Sequence, residues 1–158
     1  MSHQQRLTIK DVDRDAYQAI LAIESYARAG TMNSDLAALI RLRASQLNGC
    51  AYCLDMHATE ARGAGVEQRR LDVLSAWREA PSFFTDREQA ALALTESVTR
   101  IGDAGVPDSV WEDVARLFDK NEIVSLLMTI CAINVWNRMA VSTHQALPER
   151  DHNARAPT

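Results

Sequence analysis

The sequence predicts a single all-α domain, a bundle of about six to seven helices. Glycine and proline are few, with 6 and 4 among 158 residues, so little in the chain interrupts a helix. Apolar residues recur at spacings of three and four, and no run shows the alternation of a half-buried strand. A chain of this length buries one hydrophobic core but is too short for two ordinary domains, so residues 1–158 are predicted to form one.

The first half of the chain contains three predicted helices with clear boundaries. Gly30 and Gly49 end the first two, because glycine accepts the left-handed conformation that follows many helices. Asn33, Ser34 and Asp35 are candidate N-cap residues for the second. The predicted helices cover residues 11–29, 34–48 and 50–62.

The second half contains four more predicted segments. Pro81 stops the first of them, and Thr85 with Glu88 matches the capping box that starts the next. The last is apolar nearly all round, which predicts a place in the core or at an oligomer interface. These segments cover residues 67–80, 85–101, 108–118 and 121–142. Residues up to about Thr8 are predicted to be a loose arm and residues 148–158 a flexible tail, so the core covers about 10–147.

Charge and hydropathy exclude several classes of partner. The formal charge of -4 argues against a nucleic-acid protein, which usually has a basic stripe. The polar N-terminus has no apolar stretch of a signal peptide, and the longest apolar run, residues 123–136, is shorter than the roughly 20 residues of a membrane span. We therefore predict a soluble, cytoplasmic protein with no membrane partner, in which a close cysteine pair is catalytic or metal-binding.

The candidate site is a stripe of two thiols and an imidazole. Cys50, Cys53 and His57 are three and four residues apart, so they share one face of a helix. A helix that begins near Cys50 stabilises a thiolate there through its free amides and its dipole. Cysteines at i and i+3 lie within the separation that a disulfide tolerates. One sulfur could therefore be oxidised by a peroxide and condense with the other, while His57 moves the proton.

Two other interpretations of the stripe stay open. The cysteines could be small core residues and His57 a surface histidine. The three side chains could instead form a partial zinc site, with distant His144 as a fourth ligand, although our prediction includes no metal and no cofactor. The third thiol, Cys131, lies inside the apolar last helix and is predicted to be buried and inert. The polar run 136–138 is predicted to be a satisfied polar cluster or an oligomer contact.

Residues 42–57, LRASQLNGCAYCLDMH, resemble the core of the alkylhydroperoxidase D-like proteins of the carboxymuconolactone decarboxylase superfamily. Residues 132–140, AINVWNRMA, resemble the last-helix signature of that family, and Val106-Pro107-Asp108 with Trp111 fits the segment before it. The resemblance spans roughly residues 10–147 and implies an all-α, AhpD-like peroxidase or thiol–disulfide oxidoreductase. It also implies a homo-oligomer, often a trimer or hexamer.

The resemblance implies a role for each residue of the stripe. Peroxide attacks the second cysteine, here Cys53; the first, Cys50, resolves the product and exchanges with the reductant; and His57 belongs to a proton relay. The helix dipole by itself favours Cys50 as the stronger thiolate, so the two arguments disagree about the order of attack. The cysteine pair argues against the decarboxylase branch, which does not rely on one.

The sequence departs from the family at two positions. Ala38 stands where the relay commonly has a glutamate, twelve residues before the first cysteine, and Tyr52 stands where the best-studied branch has a histidine. Alanine cannot move a proton, so either the peroxidase is weakened or another carboxylate substitutes. Glu60, one turn after His57, and Glu24, which would reach only through the fold, are the candidates.

The leading hypothesis is therefore an enzyme, an antioxidant peroxidase that reduces organic hydroperoxides through a Cys50–Cys53 disulfide with an unidentified thiol or dithiol reductant. A non-enzymatic redox sensor whose disulfide changes its packing or partner binding is the first rival, and an inert helical oligomer is the second.

Overall fold

The computed structural model describes residues 4–30 and 32–148, and these residues form eight α-helices and no strand. Two short 3₁₀ segments, Leu74–Glu79 and Pro81–Phe83, connect the fifth and sixth helices. The α-helices are α1 Ile9–Val12, α2 Arg14–Ala29, α3 Ser34–Asn48, α4 Ala51–Gly63, α5 Gln68–Val73, α6 Asp86–Thr99, α7 Asp108–Leu117 and α8 Lys120–Thr143. The all-α prediction is confirmed. The predicted tail lies, after Pro148, outside the described residues.

Most helix ends have the residues that the sequence assigned to them. Asn33 caps α3 by accepting from two backbone amides, and Gly49 ends it in the left-handed region at φ 64°. Thr85 and Glu88 form the predicted capping box of α6. A second box, Asp119 with Glu122, starts α8. These caps satisfy the free amides of the helix ends and fix where each helix begins.

The predicted helix over residues 67–80 is wrong in its second half. The chain leaves the helical conformation at Ala76, with φ -120° and ψ 32°, and continues in 3₁₀ turns. Leu74 is fully buried there, and the indole of Trp77 is inserted beside α6, where its Nε1–H donates to Glu96 at 2.9 Å. Tertiary packing of these two side chains therefore overrides local helix propensity.

Helices α3 and α8 form the centre of the bundle. They pack against each other, and α8 also contacts α2, α4, α6 and α7. By length and composition α8 could cross a membrane, which the interrupted apolar run did not predict. A core helix has the same composition, and Leu126, Ile130 and Ile133 of α8 are almost completely buried. Its contacts with five other helices account for its apolar inner face.

Cys131 is a correction to the sequence prediction, because its thiol is exposed rather than buried. It lies on the face of α8 opposite the buried residues, where Val124 and Met139 are also exposed. The sequence could not predict which face of α8 carries Cys131. A helix that is apolar all round has no periodicity that separates its inner from its outer face.

Candidate active site

The junction of α3 and α4 positions the two cysteines. Gly49 turns the chain after α3, and the backbone N–H of Cys50 donates to the carbonyl of Ser45 at 3.1 Å. Cys50 is then the N-cap of α4, and its sulfur accepts from the backbone N–H of Cys53 at 3.3 Å. The predicted helix start near Cys50 is confirmed, and the sulfur at this position faces the free amides of a new helix.

The two thiols are reduced, buried and hydrogen-bonded to each other. The thiol of Cys53 donates to the sulfur of Cys50, and this bond, helped by the Cys53 amide, lowers the pKa of Cys50 to about 7. The same bond, together with burial, raises the pKa of Cys53 well above its ordinary value. The pair therefore loses its first proton near neutral pH, and the hydrogen bond favours Cys50 as the thiolate and Cys53 as the thiol.

Asn137 of α8 completes the surroundings of the sulfurs. Its side chain is fully buried, and its amide donates to the hydroxyl of Ser45 at 3.1 Å and accepts from Asn48 at 2.8 Å. It also hydrogen-bonds to Cys50 and Cys53 and lowers the pKa of both thiols. The sequence predicted a satisfied polar cluster here, but not its contact with the cysteines, because α8 is far from them along the chain.

His57 is buried one turn after Cys53 and is held by a carboxylate. Its Nδ1 lies 2.8 Å from Oε2 of Glu60. This contact, strengthened by Arg28, lowers the pKa of Glu60 to about 2, so Glu60 is an acceptor and Nδ1 carries the proton. Nε2 is also buried and has no hydrogen-bond partner among the described residues. A neutral ring in this tautomer presents Nε2 as a proton acceptor.

The sequence offered two carboxylates that could orient His57. Glu60 contacts His57 directly, whereas Glu24 is connected to Glu60 only through Arg28. Arg28 connects them, because its guanidinium lies 3.1 Å from Glu60 and 2.5 Å from Glu24. Buried Arg41 approaches Glu24 at 3.8 Å. No sequence pattern indicated this arginine bridge, apart from the four-residue spacing of Glu24 and Arg28.

Ala38, which replaces the glutamate of the family relay, is 7% exposed and belongs to an apolar cluster. Its neighbours in that cluster include Ala61 and the half-buried Leu54 and Ala58 of α4. A carboxylate at this position would face hydrocarbon, whereas Glu60 reaches His57 from the same helix. Among residues 4–30 and 32–148, no three His, Cys, Asp or Glu side chains are placed to hold a metal ion, which gives the zinc interpretation no support.

A cavity of about 480 Å³ reaches the cysteine pair from one side. Cys53 and His57 line it, whereas Cys50 does not. The other walls come from α2, from the end of α8, from the N-terminal arm (Gln5, Leu7 and Thr8) and from Ile9 and Lys10 of α1. A small molecule in this cavity would therefore meet the sulfur of Cys53 first, although Cys50 is the more acidic thiol. Access and acidity favour different cysteines.

The chain resembles known proteins over most of its length. A model of the carboxymuconolactone decarboxylase family matches residues 14–97. The uncharacterized protein YdfG of Bacillus subtilis (strain 168) is 35% identical over 138 residues, which is 87% of this chain and 93% of that protein.

Two solved structures with the same fold differ in how similar their sequences are to this chain. A protein of unknown function from Agrobacterium tumefaciens, ATU0492, proposed to be the antioxidant defence protein AhpD, is 36% identical with a TM-score of 0.89, covering 93% of this chain and all of that one. The debrominase Bmp8 superposes with a TM-score of 0.77 at 17% identity, covering 87% of this chain and 74% of that one. The second likeness concerns the fold alone.

Proposed function

This chain belongs to the carboxymuconolactone decarboxylase family, and on that basis we propose that it is a thiol peroxidase that reduces organic hydroperoxides through Cys50, Cys53 and His57. The observation that carries the proposal is the junction of a reduced, hydrogen-bonded cysteine pair with a cavity that Cys53 and His57 line. The likeness to a proposed antioxidant protein supports the same class of chemistry.

The hydrogen bond between the thiols explains how Cys53 can react although Cys50 is the more acidic thiol. Cys50 is the resting thiolate, and Cys53 holds its proton in a bond to that sulfur. Transfer of this proton to Cys50, or to Nε2 of His57, creates a thiolate at Cys53, where the cavity admits the peroxide. Cys53 is thus the nucleophile and Cys50 the resolving thiol, the order that the family resemblance implied.

The reaction then takes place in two steps. The Cys53 thiolate attacks the terminal oxygen of the hydroperoxide, the O–O bond breaks, Cys53 becomes a sulfenic acid, and the alkoxide takes a proton from the site to leave as an alcohol. The thiol of Cys50 attacks the sulfenic sulfur, which forms the disulfide and releases water. An external thiol or dithiol reduces the disulfide and is itself oxidised.

Thiol counting tests the proposal directly. Reduced protein treated with a small excess of tert-butyl hydroperoxide should lose two thiols per chain and yield one equivalent of tert-butanol. Cys53→Ser should lose its remaining Cys50 thiol far more slowly than wild type does. Cys131→Ser should lose both thiols of the pair at the wild-type rate, because Cys131 does not line the cavity. Wild-type protein that retains all of its thiols would refute the peroxidase.

The rival redox sensor predicts a different result. In that case the disulfide forms once and changes the oligomeric state or partner binding, but a dithiol reductant does not sustain turnover. Continuous alcohol production in the presence of dithiothreitol, at many equivalents per chain, distinguishes the peroxidase from the sensor.

We also propose that the protein is cytoplasmic and that it forms a homo-oligomer. The family resemblance implies that this oligomer is a trimer or a hexamer. The outer face of α8 supports an association between copies, because it presents an exposed or half-buried apolar stripe. We define the α8 stripe as residues Val124, Met128, Cys131, Val135 and Met139. Their spacing of three and four places them on one side of the helix.

A further inference from the structure

The cavity beside Cys53 is much larger than a peroxide group requires. Its volume of about 480 Å³ falls in the range of pockets that enclose whole organic ligands. Tyr17, Leu21, Glu24 and Arg28 of α2 all line it, and the eleven helical rises from the first to the last span about 16 Å. Most of the cavity therefore faces the body of the substrate rather than its reacting oxygen atoms.

Much of the cavity wall is apolar and aromatic. Tyr17 contacts Trp136 edge-to-face, with ring centroids 5.8 Å apart, and both rings line the cavity. The remaining apolar lining residues are Leu7, Ile9, Leu21, Tyr52, Met56 and Ala140. An extended apolar chain would lose its contact with water along these side chains, which favours binding by the burial of each methylene group.

The charged residues of the lining are not equivalent. Glu24 and Arg28 neutralise each other at 2.5 Å. Lys10 also lines the cavity, but its side chain is exposed and makes no ion pair with any residue that the structure describes. The cavity thus combines many apolar side chains with one exposed positive charge, that of Lys10, which no described carboxylate pairs with.

The N-terminal arm holds this charge in place. The backbone N–H of Arg6 donates to the carbonyl of Thr143 at 2.8 Å, and the guanidinium of Arg6 donates to that of Ser142 at 3.0 Å. The carbonyl oxygen of the Gln5 side chain accepts from the backbone N–H of Ala146 at 3.2 Å. The predicted loose arm is instead bound to the end of α8 and forms a wall of the cavity.

We propose that the substrate is the hydroperoxide of a long-chain carboxylic acid, with its apolar chain in the cavity and its carboxylate at Lys10. This inference rests on the proposed function and specifies its substrate class. The thiol chemistry is unchanged: the acid hydroperoxide becomes the hydroxy acid, the cysteine pair becomes a disulfide, and a dithiol reductant restores the pair. A short neutral hydroperoxide gains neither the burial nor the ion pair.

Three peroxides test the substrate class on reduced protein: linoleic acid hydroperoxide, its methyl ester and tert-butyl hydroperoxide. We expect thiol loss with the acid to be at least about tenfold faster than with the tert-butyl compound, because several methylene groups are buried. The acid should exceed its ester by about two- to fivefold, the range of an exposed ion pair, and the difference should fall with added salt.

Lys10→Gln should remove the difference between acid and ester. Lys120→Gln is the matched control, because Lys120 is the only other lysine in the chain and begins α8 outside the cavity lining, so it should keep the difference. Leu21→Trp, which fills part of the cavity, should reduce the ratio between the acid and tert-butyl hydroperoxide.

Calorimetry with the unreactive hydroxy acid separates the two hypotheses. If tert-butyl hydroperoxide oxidises the pair but acid, ester and tert-butyl compound react alike, the substrate class is wrong and the peroxidase stands. If no peroxide consumes thiols but the hydroxy acid binds more weakly to Lys10→Gln than to Lys120→Gln, the site stands and the peroxidase fails. If the hydroxy acid does not bind, the substrate class is refuted.

Discussion

At the scale of single residues, the pKa values of the two thiols are shifted in opposite directions, with that of Cys50 lowered and that of Cys53 raised. The spacing of Cys50, Cys53 and His57 predicted that they share one helix face, and the structure has Cys50 as the N-cap of α4 with Cys53 and His57 buried along it. The hydrogen bond from the Cys53 thiol to the Cys50 sulfur depends on side-chain rotation, which spacing does not determine. The bridge from Arg28 to Glu60 joins residues 32 positions apart and could not be found from local patterns.

The acidity of Cys50 gives the first prediction. Because its pKa is lowered to about 7, thiolate absorbance of the reduced protein at 240 nm should show one transition near neutral pH. Cys53→Ala removes the main donor to the sulfur and should raise that midpoint toward the ordinary value of about 8.5. Cys131→Ser should leave it in place. A wild type with no transition below about 8.5, the ordinary value that the exposed Cys131 thiol can also show, would contradict the proposed charge state.

The carboxylate of Glu60 gives the second prediction. Glu60→Gln should lower peroxide turnover by about tenfold, because an amide no longer fixes the proton on Nδ1 of His57 and leaves Nε2 less available as an acceptor. Glu112→Gln, an exposed change on α7, is the matched control. Equal turnover of the two variants would show that Glu60 does not position His57.

The ionised carboxylate of Glu60 also stabilises the folded protein, and this contribution depends on pH. The pKa of Glu60 is about 2 in the folded protein and about 4.3 in an unfolded chain. Its stabilising contribution is therefore present above about pH 4.3 and is lost as the pH falls toward 2. Because the side chain is 40% exposed, we expect the effect to be small. Urea titrations of wild type and Glu60→Gln should accordingly differ slightly at pH 7 and converge near pH 2.

At the scale of helices, the sequence was most reliable where a cap residue marks a boundary. Gly49, Asn33 and the box of Thr85 with Glu88 fixed helix ends that the structure has within a residue or two. The segment around Leu74 and Trp77 had no such local marker, and its conformation follows from burial against other helices. Helix propensity therefore predicted a continuous helix where packing produces 3₁₀ turns.

The turn at Gly49 gives a prediction at this scale. Its φ of 64° is unfavourable for other residues, although no neighbouring atom would contact a new Cβ. Gly49→Ala should lower the free energy of unfolding by about 1–2 kcal/mol through backbone strain alone. Gly63→Ala, at the end of α4 with an equally open surrounding, should be neutral or stabilise by up to about 1 kcal/mol. Urea denaturation measures both, and equal values would exclude strain at Gly49.

At the scale of the whole molecule, the cavity is the feature that the sequence could least predict. Its lining comes from residues as distant as Gln5 and Gln145, which only the complete fold brings together. The arm contributes because hydrogen bonds hold it against the end of α8, a contact between the two ends of the described chain. Periodicity and composition were enough to predict the fold class, whereas the shape of the cavity depends on how all of its helices pack together.

The α8 stripe carries the last prediction. Val124 and Met139 are 48% and 39% exposed, and the Cys131 thiol between them is also exposed. If copies associate through this surface, Cys131→Glu places a carboxylate inside an apolar interface, where burial without a partner costs several kcal/mol. Light scattering should then show a multiple of 17.6 kDa for wild type and the monomer mass for Cys131→Glu.

Trp111→Glu is the control for that experiment, because Trp111 is 45% exposed but lies on α7, outside the α8 stripe. It should retain the wild-type mass, and circular dichroism should confirm that both variants are helical. A monomeric wild type would refute the association, and dissociation by Trp111→Glu alone would move the interface to α7. Because Cys131 does not line the cavity, a monomer of Cys131→Glu should still lose the Cys50 and Cys53 thiols to peroxide, which separates assembly from the proposed chemistry.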